Sequence, residues 1–208
     1  TESGTTLDNL AVGTYEVIAK YTGDPNFNDA ESAPITVTVS KPTPTISVTA
    51  NPIMYGQDAT ITIGLKGLND EGITGLVKVT IAGKEYGVAV NNGVGTLTVS
   101  GLAANEAGHP ISVEFAGNDN YHSANNFSTK QVVYKAQPTI GVTPVEISYG
   151  EDAVVTISLE LPNGEKLDGV TVYATVDGQN YPVTINNGVG TLTVSDLIVD
   201  SYAVEVQF

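Results

Sequence analysis

The sequence predicts an all-β protein made of short antiparallel strands, and three observations support this. Apolar and polar residues alternate in runs such as residues 59–63 and 77–81, which is the period of a strand with one buried face. β-Branched residues dominate these runs, as a pleated, half-buried surface prefers. Asn92-Gly93 and Asp177-Gly178 are type I′ hairpin signals between such runs. No stretch has a convincing helical period, so we expect β-sandwiches.

An internal repeat is the strongest signal in the sequence. Residues 91–100 recur without change as residues 186–195, at an offset of 186 − 91 = 95. Upstream, residues 55–59 match residues 149–153 at an offset of 149 − 55 = 94. Self-similarity at a fixed period is typical of repeat architectures. We therefore interpret the chain as successive copies of one unit.

The chain begins with part of a further copy, because residues 10–17 resemble residues 197–204. In chain order the copies are called the first, the middle and the third. The predicted domain boundaries follow from these matches. They give the last strands of one repeat, a complete repeat, and a repeat without its last strand, at residues 1–42, 43–136 and 137–208.

The complete copy is predicted to contain seven strands, near residues 45–50, 58–65, 76–82, 85–90, 94–99, 110–116 and 127–135. The apolar faces of these strands predict a core between two sheets. The equivalent positions of the following copy are predicted to form the same kind of core. The predicted core residues are Ile61, Ile63, Val79, Ile81, Leu97, Val99, Val113, Phe115, Val155, Ile157, Leu192 and Val194. Both joints between copies are short and carry proline, so we expect the repeats to be arranged end to end.

Composition excludes several partners. The formal net charge is −15 and all eight basic residues are lysines, so nucleic acid and anionic membrane surfaces would repel the chain. There is no cysteine, which excludes disulfides and thiolate metal sites. The apolar runs are too short to insert into a membrane. The sequence starts at Thr1 with no visible signal peptide, which favours a piece of a longer polypeptide.

One stretch resembles a known family. Leu10, Gly13-Thr14-Tyr15, Tyr21-Thr22-Gly23-Asp24, Phe27 and Ser32 follow a "G-x-Y…Y-x-G-D-x-x-Y" pattern. It is similar to the group 3 bacterial Ig-like repeats of bacterial and archaeal adhesin-like surface proteins. The resemblance implies tandem immunoglobulin-like antiparallel β-sandwich repeats on an extracellular cell surface. In the middle copy, Pro110 is aligned with Tyr15 and Tyr202, which leaves a tyrosine corner uncertain there.

The loop after Gly23 is a candidate calcium site. Oxygen-bearing side chains gather in it, at Asp24, Asn26, Asn28, Asp29 and Glu31. The alternative is a solvated turn that Gly23 and Asp24 shape. The equivalent middle loop is much less charged, so we favour the turn and expect no metal and no cofactor.

The sequence offers no catalytic constellation. His109 and His122 are the only histidines, and neither has a patterned nucleophile or carboxylate partner. We therefore expect no enzyme activity. Lys41 and Lys135 recur beside the linker prolines, and a lysine-to-asparagine cross-link is left open. Asn126-Phe127-Ser128 is a glycosylation pattern that occurs once.

These observations favour a non-catalytic stalk or spacer in an adhesin-like or filament-forming surface protein. The alternative is an adhesion module that binds carbohydrate or protein. The copies differ most in one loop, at residues 64–76 of the middle copy and residues 159–169 of the following copy, so a binding site is expected there.

The incomplete copies predict an interaction between neighbouring molecules. Ile35, Val37 and Val39 form a strand of the kind that residues 139–208 lack, so it could complete the next molecule head to tail. That interpretation holds only if the chain ends where the sequence does. We favour the interpretation that the sequence is a window on a longer continuous chain, because residues 15–21 and 202–208 duplicate the same strand and exchange would leave one of them spare.

Overall fold

The computed structural model describes residue 4, residues 6–8 and residues 10–208. Residues 1–3, 5 and 9 of the predicted first segment lie outside the described residues. The described residues form strands and no helix, which confirms the all-β prediction. Among them, there is accordingly no helix long and apolar enough to cross a membrane.

The strands, in chain order, are β1 (Gly13–Val17), β2 (Lys20–Tyr21), β3 (Ala30–Glu31), β4 (Ile35–Val39), β5 (Thr45–Ala50), β6 (Ile53–Met54), β7 (Ala59–Lys66), β8 (Gly75–Ile81), β9 (Lys84–Val90), β10 (Val94–Val99), β11 (Asn105–Phe115), β12 (Ala124–Tyr134), β13 (Thr139–Thr143), β14 (Ala153–Glu160), β15 (Val170–Val176), β16 (Gln179–Ile185), β17 (Val189–Val194) and β18 (Val204–Gln207). They belong to two compact units. One contains residues 1–51, 60–98 and 108–131, and the other contains residues 52–59, 99–107 and 132–208.

The first segment contains two two-stranded ribbons, β1–β4 and β2–β3. β1 pairs antiparallel with β4, from Gly13 opposite Val39 to Val17 opposite Ile35. Most β4 side chains are exposed, so in the described chain the ribbon has little apolar cover. An isolated two-stranded ribbon is marginally stable in water.

Residues 45–134 form two sheets. The strand order is β10-β7-β5 in one sheet and β6-β12-β11-β8-β9 in the other. Each sheet contributes alternate side chains to the interior, because successive residues of a strand point to opposite faces. The buried apolar residues are Ala59, Ile61, Ile63, Leu65, Ile73, Val77, Val79, Ile81, Val88, Val90, Val99, Leu102, Ile111, Val113, Phe115 and Val133.

The segment from residue 139 onward has two three-stranded sheets, β13-β14-β17 and β16-β15-β18. A single apolar cluster takes buried side chains from both sheets, including Ile157 and Leu159 of β14, Val172 of β15 and Ile185 of β16. Two sheets that share one core in this way are β-sandwich-like.

The repeated sequence has the same strand pairing in both copies. Thr45 lies opposite Lys66 in β5–β7, and Thr139 lies opposite Glu160 in β13–β14, at an offset of 160 − 66 = 94. Likewise β8–β9 and β15–β16 have equivalent registers. The register of a strand pair is fixed by which face is buried. The repeated apolar pattern therefore gives the repeated pairing.

The core prediction is confirmed except at Leu97. The other eleven predicted residues are buried, whereas Leu97 is only half-buried. β10 is an edge strand of its sheet, so water reaches Leu97 from the open side. Its equivalent Leu192, also on an edge strand, is among the more exposed members of its core at 7%.

Four two-residue hairpins have the type I′ backbone. Asn92 and Gly93 have φ of 47° and 84°, and Asn187 and Gly188 repeat these values closely at 47° and 81°. The β8–β9 hairpin uses Ala82 at φ 49°, where the equivalent β15–β16 hairpin uses Asp177 at φ 50°. Type I′ turns favour asparagine or aspartate at this position, and an alanine there is strained.

Ala82→Asn is therefore expected to stabilise the protein by about 0.5–1 kcal/mol, since asparagine tolerates the left-handed region better than alanine. The free energy of unfolding from urea titrations measures the effect. Asp177→Ala, the reverse change in the other copy, should destabilise by a similar amount. An unchanged midpoint in both variants would contradict the strain argument.

Candidate strand-acceptor groove

A groove with a volume of about 820 Å³, lined by both polar and apolar residues, runs along one side of the segment from residue 139 onward. Its floor comes from β14, β15, β17 and β18, and its walls come from the irregular segments that precede β14 and β18. The lining includes Val145, Ile147, Tyr149, Val155, Val176, Val194, Leu197, Val199, Tyr202 and Val204. A groove with this shape suits an extended segment.

The equivalent place in the middle copy is filled by β12. Val133 of β12 pairs in parallel with Ile53 of β6 and is fully buried. The Gln131 side-chain Nε2 donates to the Asn51 carbonyl at 2.7 Å. The Tyr55 backbone N–H donates to the Tyr134 carbonyl at 2.8 Å. β12 is thus held between β6 and β11, as the sheet order records.

Equivalent residues are more exposed beside the groove than beside β12. Tyr149 is 79% exposed, and its equivalent Tyr55 is 42% exposed. β18 begins at Val204, which is equivalent to Ile111 in the middle of β11. β11 has β12 as its neighbour, whereas β18 ends its sheet in the described chain. A neighbouring strand therefore both covers this face and extends the pairing strand.

The three residues predicted for strand exchange lie on β4. Ile35 is 63% exposed, Val37 is 37% exposed and Val39 is half-buried. At the sequence offset of 94, Val37 and Val39 are equivalent to Gln131 and Val133, both of which are fully buried. β4 therefore exposes the face that β12 buries.

Tyrosine corners are present in the first and third copies. The Tyr15 hydroxyl donates to the Ala11 carbonyl at 2.7 Å, and the Tyr202 hydroxyl donates to the Ile198 carbonyl at 3.3 Å. The predicted alignment of Pro110 with these tyrosines is wrong by one residue. Ile111 lies opposite Ile81 as Val204 lies opposite the equivalent Val176, which places His109 at the tyrosine position.

The Asp24 loop is an Asx turn. Asp24 Oδ1 accepts the backbone N–H groups of Asn26 and Phe27, and Oδ2 accepts the Tyr21 hydroxyl at 2.7 Å. The Tyr21 hydroxyl, followed by the backbone donor of Asn26, lowers the pKa of Asp24. Its carboxylate oxygens are therefore used by the loop itself. Within residues 4, 6–8 and 10–208, no three histidine, cysteine, aspartate or glutamate side chains are grouped to hold a metal ion.

A tyrosine–glutamate bond that the sequence analysis missed ties two loops of the middle copy. The Tyr121 hydroxyl donates to Glu71 Oε1 at 2.7 Å. Tyr121 is positioned by Asn118, whose Oδ1 accepts its backbone N–H at 2.9 Å. The bond from Tyr121 lowers the pKa of Glu71 and is the main cause of that shift. Nothing local in the sequence signals this pairing, because the two residues are 50 positions apart.

Tyr121→Phe is expected to raise the pKa of Glu71 towards its ordinary value, because the main group that lowers it is lost. A carboxylate with a lowered pKa stabilises the fold above its unfolded-state pKa and loses that effect as pH falls through its folded pKa. The variant should therefore lose less stability on acidification. Carboxyl NMR titration of Glu71 measures the shift. Tyr86→Phe, on β9, is the control and should leave the titration unchanged.

Three further candidate residues bond to backbone carbonyls. Lys41 donates from Nζ to the Asn118 carbonyl at 2.7 Å. His122 donates its backbone N–H to the Pro42 carbonyl at 3.0 Å. The Asn126 side-chain Nδ2 donates a hydrogen bond to the Ile46 carbonyl at 2.9 Å. The nitrogen that would accept a glycan in the glycosylation pattern is therefore engaged in this bond.

The loop at which the copies differ most shares several backbone bonds between the two copies. In each copy it folds back onto the preceding strand and onto the repeated Asn-Gly turn. The pairs are Gly67–Glu71 and Leu161–Glu165, Leu65–Gly93 and Leu159–Gly188, and Gly93–Ile73 and Gly188–Leu167. The copies differ there in side chains and in one extra residue, Gly169 at φ 66°. The two loops therefore share a common frame and differ in side chains and in the turn around the added glycine.

The described chain is thus an all-β, sandwich-like protein. No protein-family model matches it, and no curated protein matches it. Among solved structures it is similar to the native conformation of E. coli alpha-2-macroglobulin, with 9% sequence identity and a TM-score of 0.29. That match covers 87% of this chain and 16% of that chain. A likeness of this size carries no argument about fold or function.

Proposed function

We propose that the chain is a non-catalytic stalk or spacer, built of tandem immunoglobulin-like sandwich repeats, in an adhesin-like or filament-forming protein of the cell surface. The observation that carries the proposal is how the beginning and end of the middle copy are joined. A spacer has to transmit tension from one end of each repeat to the other without opening.

The parallel pair β6–β12 is suited to that task. β6 lies near the start of the copy and β12 ends it, and Ile53 and Met54 pair with Val133 and Tyr134. Tension pulls β6 towards its N-terminal side and β12 towards its C-terminal side. Because the strands are parallel, these pulls slide one strand along the other and load all of their hydrogen bonds together. An antiparallel arrangement would let the bonds break one at a time.

The joint before the middle copy is also held in place. Lys41 Nζ bonds to the Asn118 carbonyl at 2.7 Å, and the Pro42 carbonyl accepts the His122 backbone N–H at 3.0 Å. Pro44 is buried. Proline restricts the backbone in addition to these contacts. A connection restrained in this way supports a spacer role better than a free linker would.

Single-molecule force spectroscopy of the chain tests the proposal. Residues 43–136 comprise 136 − 43 + 1 = 94 residues, so their unfolding should add a contour length of roughly 310–340 Å in one event. Val133→Ala should lower the force of that event, because forced unfolding depends on the unfolding barrier. Val39→Ala, at the equivalent position of the first segment, should leave it unchanged.

Two results would overturn the spacer proposal. One is opening of the middle copy in several small steps at low force. The other is saturable binding of the chain to a defined glycan on an array, abolished by changes in residues 159–169. That second outcome would support an adhesion module instead.

A further inference from the structure

We propose that Asp177 is a modification site, at which the folded protein converts the Asp177–Gly178 link to isoaspartate with water as the co-reactant. The repeated Asn-Gly turns of the middle and third copies are held against the corresponding reaction. The proposal goes beyond the spacer function and does not depend on it. It rests on a difference in hydrogen bonding between turns of closely related sequence.

Five places in the sequence have the residue pair that this reaction needs. Glycine after aspartate or asparagine lets its backbone nitrogen approach the preceding side-chain carbonyl carbon, because glycine has no side chain in the way. The five pairs are Asn92-Gly93, Asn163-Gly164, Asp168-Gly169, Asp177-Gly178 and Asn187-Gly188. The glycine nitrogen is the nucleophile, so the hydrogen-bond partner of each glycine N–H distinguishes the five pairs.

Four of these five N–H groups donate to a backbone carbonyl. Two of the four glycines, Gly93 and Gly188, are also buried. The bonds run from Gly93 to Ile73 at 3.1 Å, from Gly164 to Leu161 at 2.9 Å, from Gly169 to Ile185 at 2.9 Å and from Gly188 to Leu167 at 2.7 Å. A nitrogen held in this way cannot turn towards the preceding side chain until its bond is broken.

The two Asn-Gly hairpin turns are held at the asparagine as well. The Asn92 backbone N–H donates to the Thr74 hydroxyl at 3.0 Å. The Asn187 backbone N–H donates to Asp168 Oδ1 at 2.7 Å. Both peptide groups of each turn are therefore fixed by the loop that folds back onto it. The reaction there requires this loop to open first, which lowers its rate by the fraction of time spent open.

The Asp177–Gly178 turn has no such restraint. Both residues are exposed at the end of the β15–β16 hairpin. Among the residues that the structure describes, neither the Gly178 N–H nor the Asp177 carboxylate has a hydrogen-bond partner. A Cβ on Gly178 would meet nothing within 4 Å, so no other segment packs on the turn. Asp177 can therefore rotate towards the Gly178 nitrogen without breaking a bond of that N–H.

The reaction is balanced with water alone. The Gly178 nitrogen forms a bond to Asp177 Cγ, and one carboxyl oxygen leaves as water with the amide proton and the carboxyl proton. The product is a five-membered succinimide ring. Water then opens the ring at one of its two carbonyl carbons. Opening at Cγ restores aspartate, whereas opening at the main-chain carbonyl leaves the nitrogen on Cγ and gives isoaspartate. Nothing is oxidised or reduced.

The modification distinguishes the two copies. The equivalent turn of the middle copy is Ala82-Gly83, which has nearly the same backbone, with φ of 49° and 74°, and no side-chain carbonyl to attack. Isoaspartate adds one carbon atom to the main chain of a two-residue turn, and such a turn sets the register of its two strands. The change therefore falls on β15, the central strand of the β16-β15-β18 sheet.

Incubation of the 208-residue chain in heavy-oxygen water at neutral pH tests the proposal. Each passage through the succinimide adds one heavy oxygen atom, which peptide mass spectrometry locates, and backbone fragmentation identifies isoaspartate. The same incubation in urea gives the rates of the unfolded chain. Folding should leave the rate at Asp177 within a few-fold of its unfolded value. It should slow the reaction at Asn92 and Asn187 by roughly ten-fold or more.

Three variants make the comparison sharper. Asp177→Asn gives this turn the same amide side chain as the other two, and in the folded chain position 177 should take up label roughly ten-fold faster than Asn92 or Asn187. Ala82→Asp should introduce the reaction into the middle copy. Asp177→Ala is the blank, because Ala82 shows that this turn accommodates alanine, and it should remove label and isoaspartate from this turn.

The proposal fails if folding slows the reaction at Asp177 as much as at Asn92 and Asn187. It also fails if folded Asp177→Asn takes up label at position 177 no faster than at Asn92, or if label enters at Asp177 without isoaspartate. None of these outcomes bears on the single-event unfolding expected of the middle copy, so the two proposals fail independently.

Discussion

Replacing Ile63 by alanine should lower the free energy of unfolding of the middle copy by about 2–5 kcal/mol, the range for large-to-small changes in a closed core. Ile63 lies in β7, the central strand of its sheet, and is fully buried. It faces a core closed by the second sheet, including the last strand β12. The structure has little freedom to collapse around the three missing carbon atoms at this position.

Denaturant titration followed by tyrosine fluorescence measures the loss. Thr62→Ala, the exposed neighbour on the same strand, is the matched control and should change stability by less than about 0.5 kcal/mol. A loss below 1 kcal/mol for Ile63→Ala would mean that the two sheets are not packed as described.

Gly93→Ala is expected to be nearly as costly, at about 3 kcal/mol or more. Gly93 has φ 84°, and a Cβ there would lie 2.8 Å from the Gly72 Cα and 3.2 Å from the Leu65 carbonyl oxygen. The left-handed backbone alone costs about 1–2 kcal/mol for alanine. The rest comes from pushing apart backbone atoms that are hydrogen-bonded at this crossing, where Gly93 bonds to Leu65 and Ile73.

Gly83→Ala separates the two causes. Gly83 has φ 74° at the same position of the β8–β9 turn, and a Cβ there meets nothing within 4 Å. This variant should therefore show the backbone cost alone, and the difference between the variants measures the steric part. Equal losses in the two variants would refute the close approach of Gly72 and Gly93.

The local features were predictable from the sequence because their causes are local. The period-2 pattern gave the positions of β5 and β10, and Asn92-Gly93 gave the type I′ turn. β6 was missed because two residues carry no period, and they become a strand only by pairing with a segment some 80 residues later. Long-range register also decided that His109, and not Pro110, takes the tyrosine position.

The candidate groove was only partly predictable. The sequence predicted an apolar donor at Ile35, Val37 and Val39 from their alternation. It could not give the extent of the groove, because that depends on which residues β18 leaves uncovered. The Tyr121–Glu71 bond was equally hidden, since it depends on how two loops approach each other.

The interior position of β12 has a consequence for the order in which a copy folds during synthesis. Its residues are the last of the copy to leave the ribosome, yet they lie inside the sheet between β6 and β11. Gln131 bonds to Asn51, which lies 80 positions earlier in the sequence. The conformational entropy of closing this contact is therefore lost only at the end of the folding of the copy. Until β12 emerges, the copy presents an open groove while the preceding copy of the repeat has already left the ribosome. Such nascent neighbours are prone to mispairing. Residues 35–39 and their counterparts 129–133 share only Val39 and Val133, so the two strands present different side chains to such a groove.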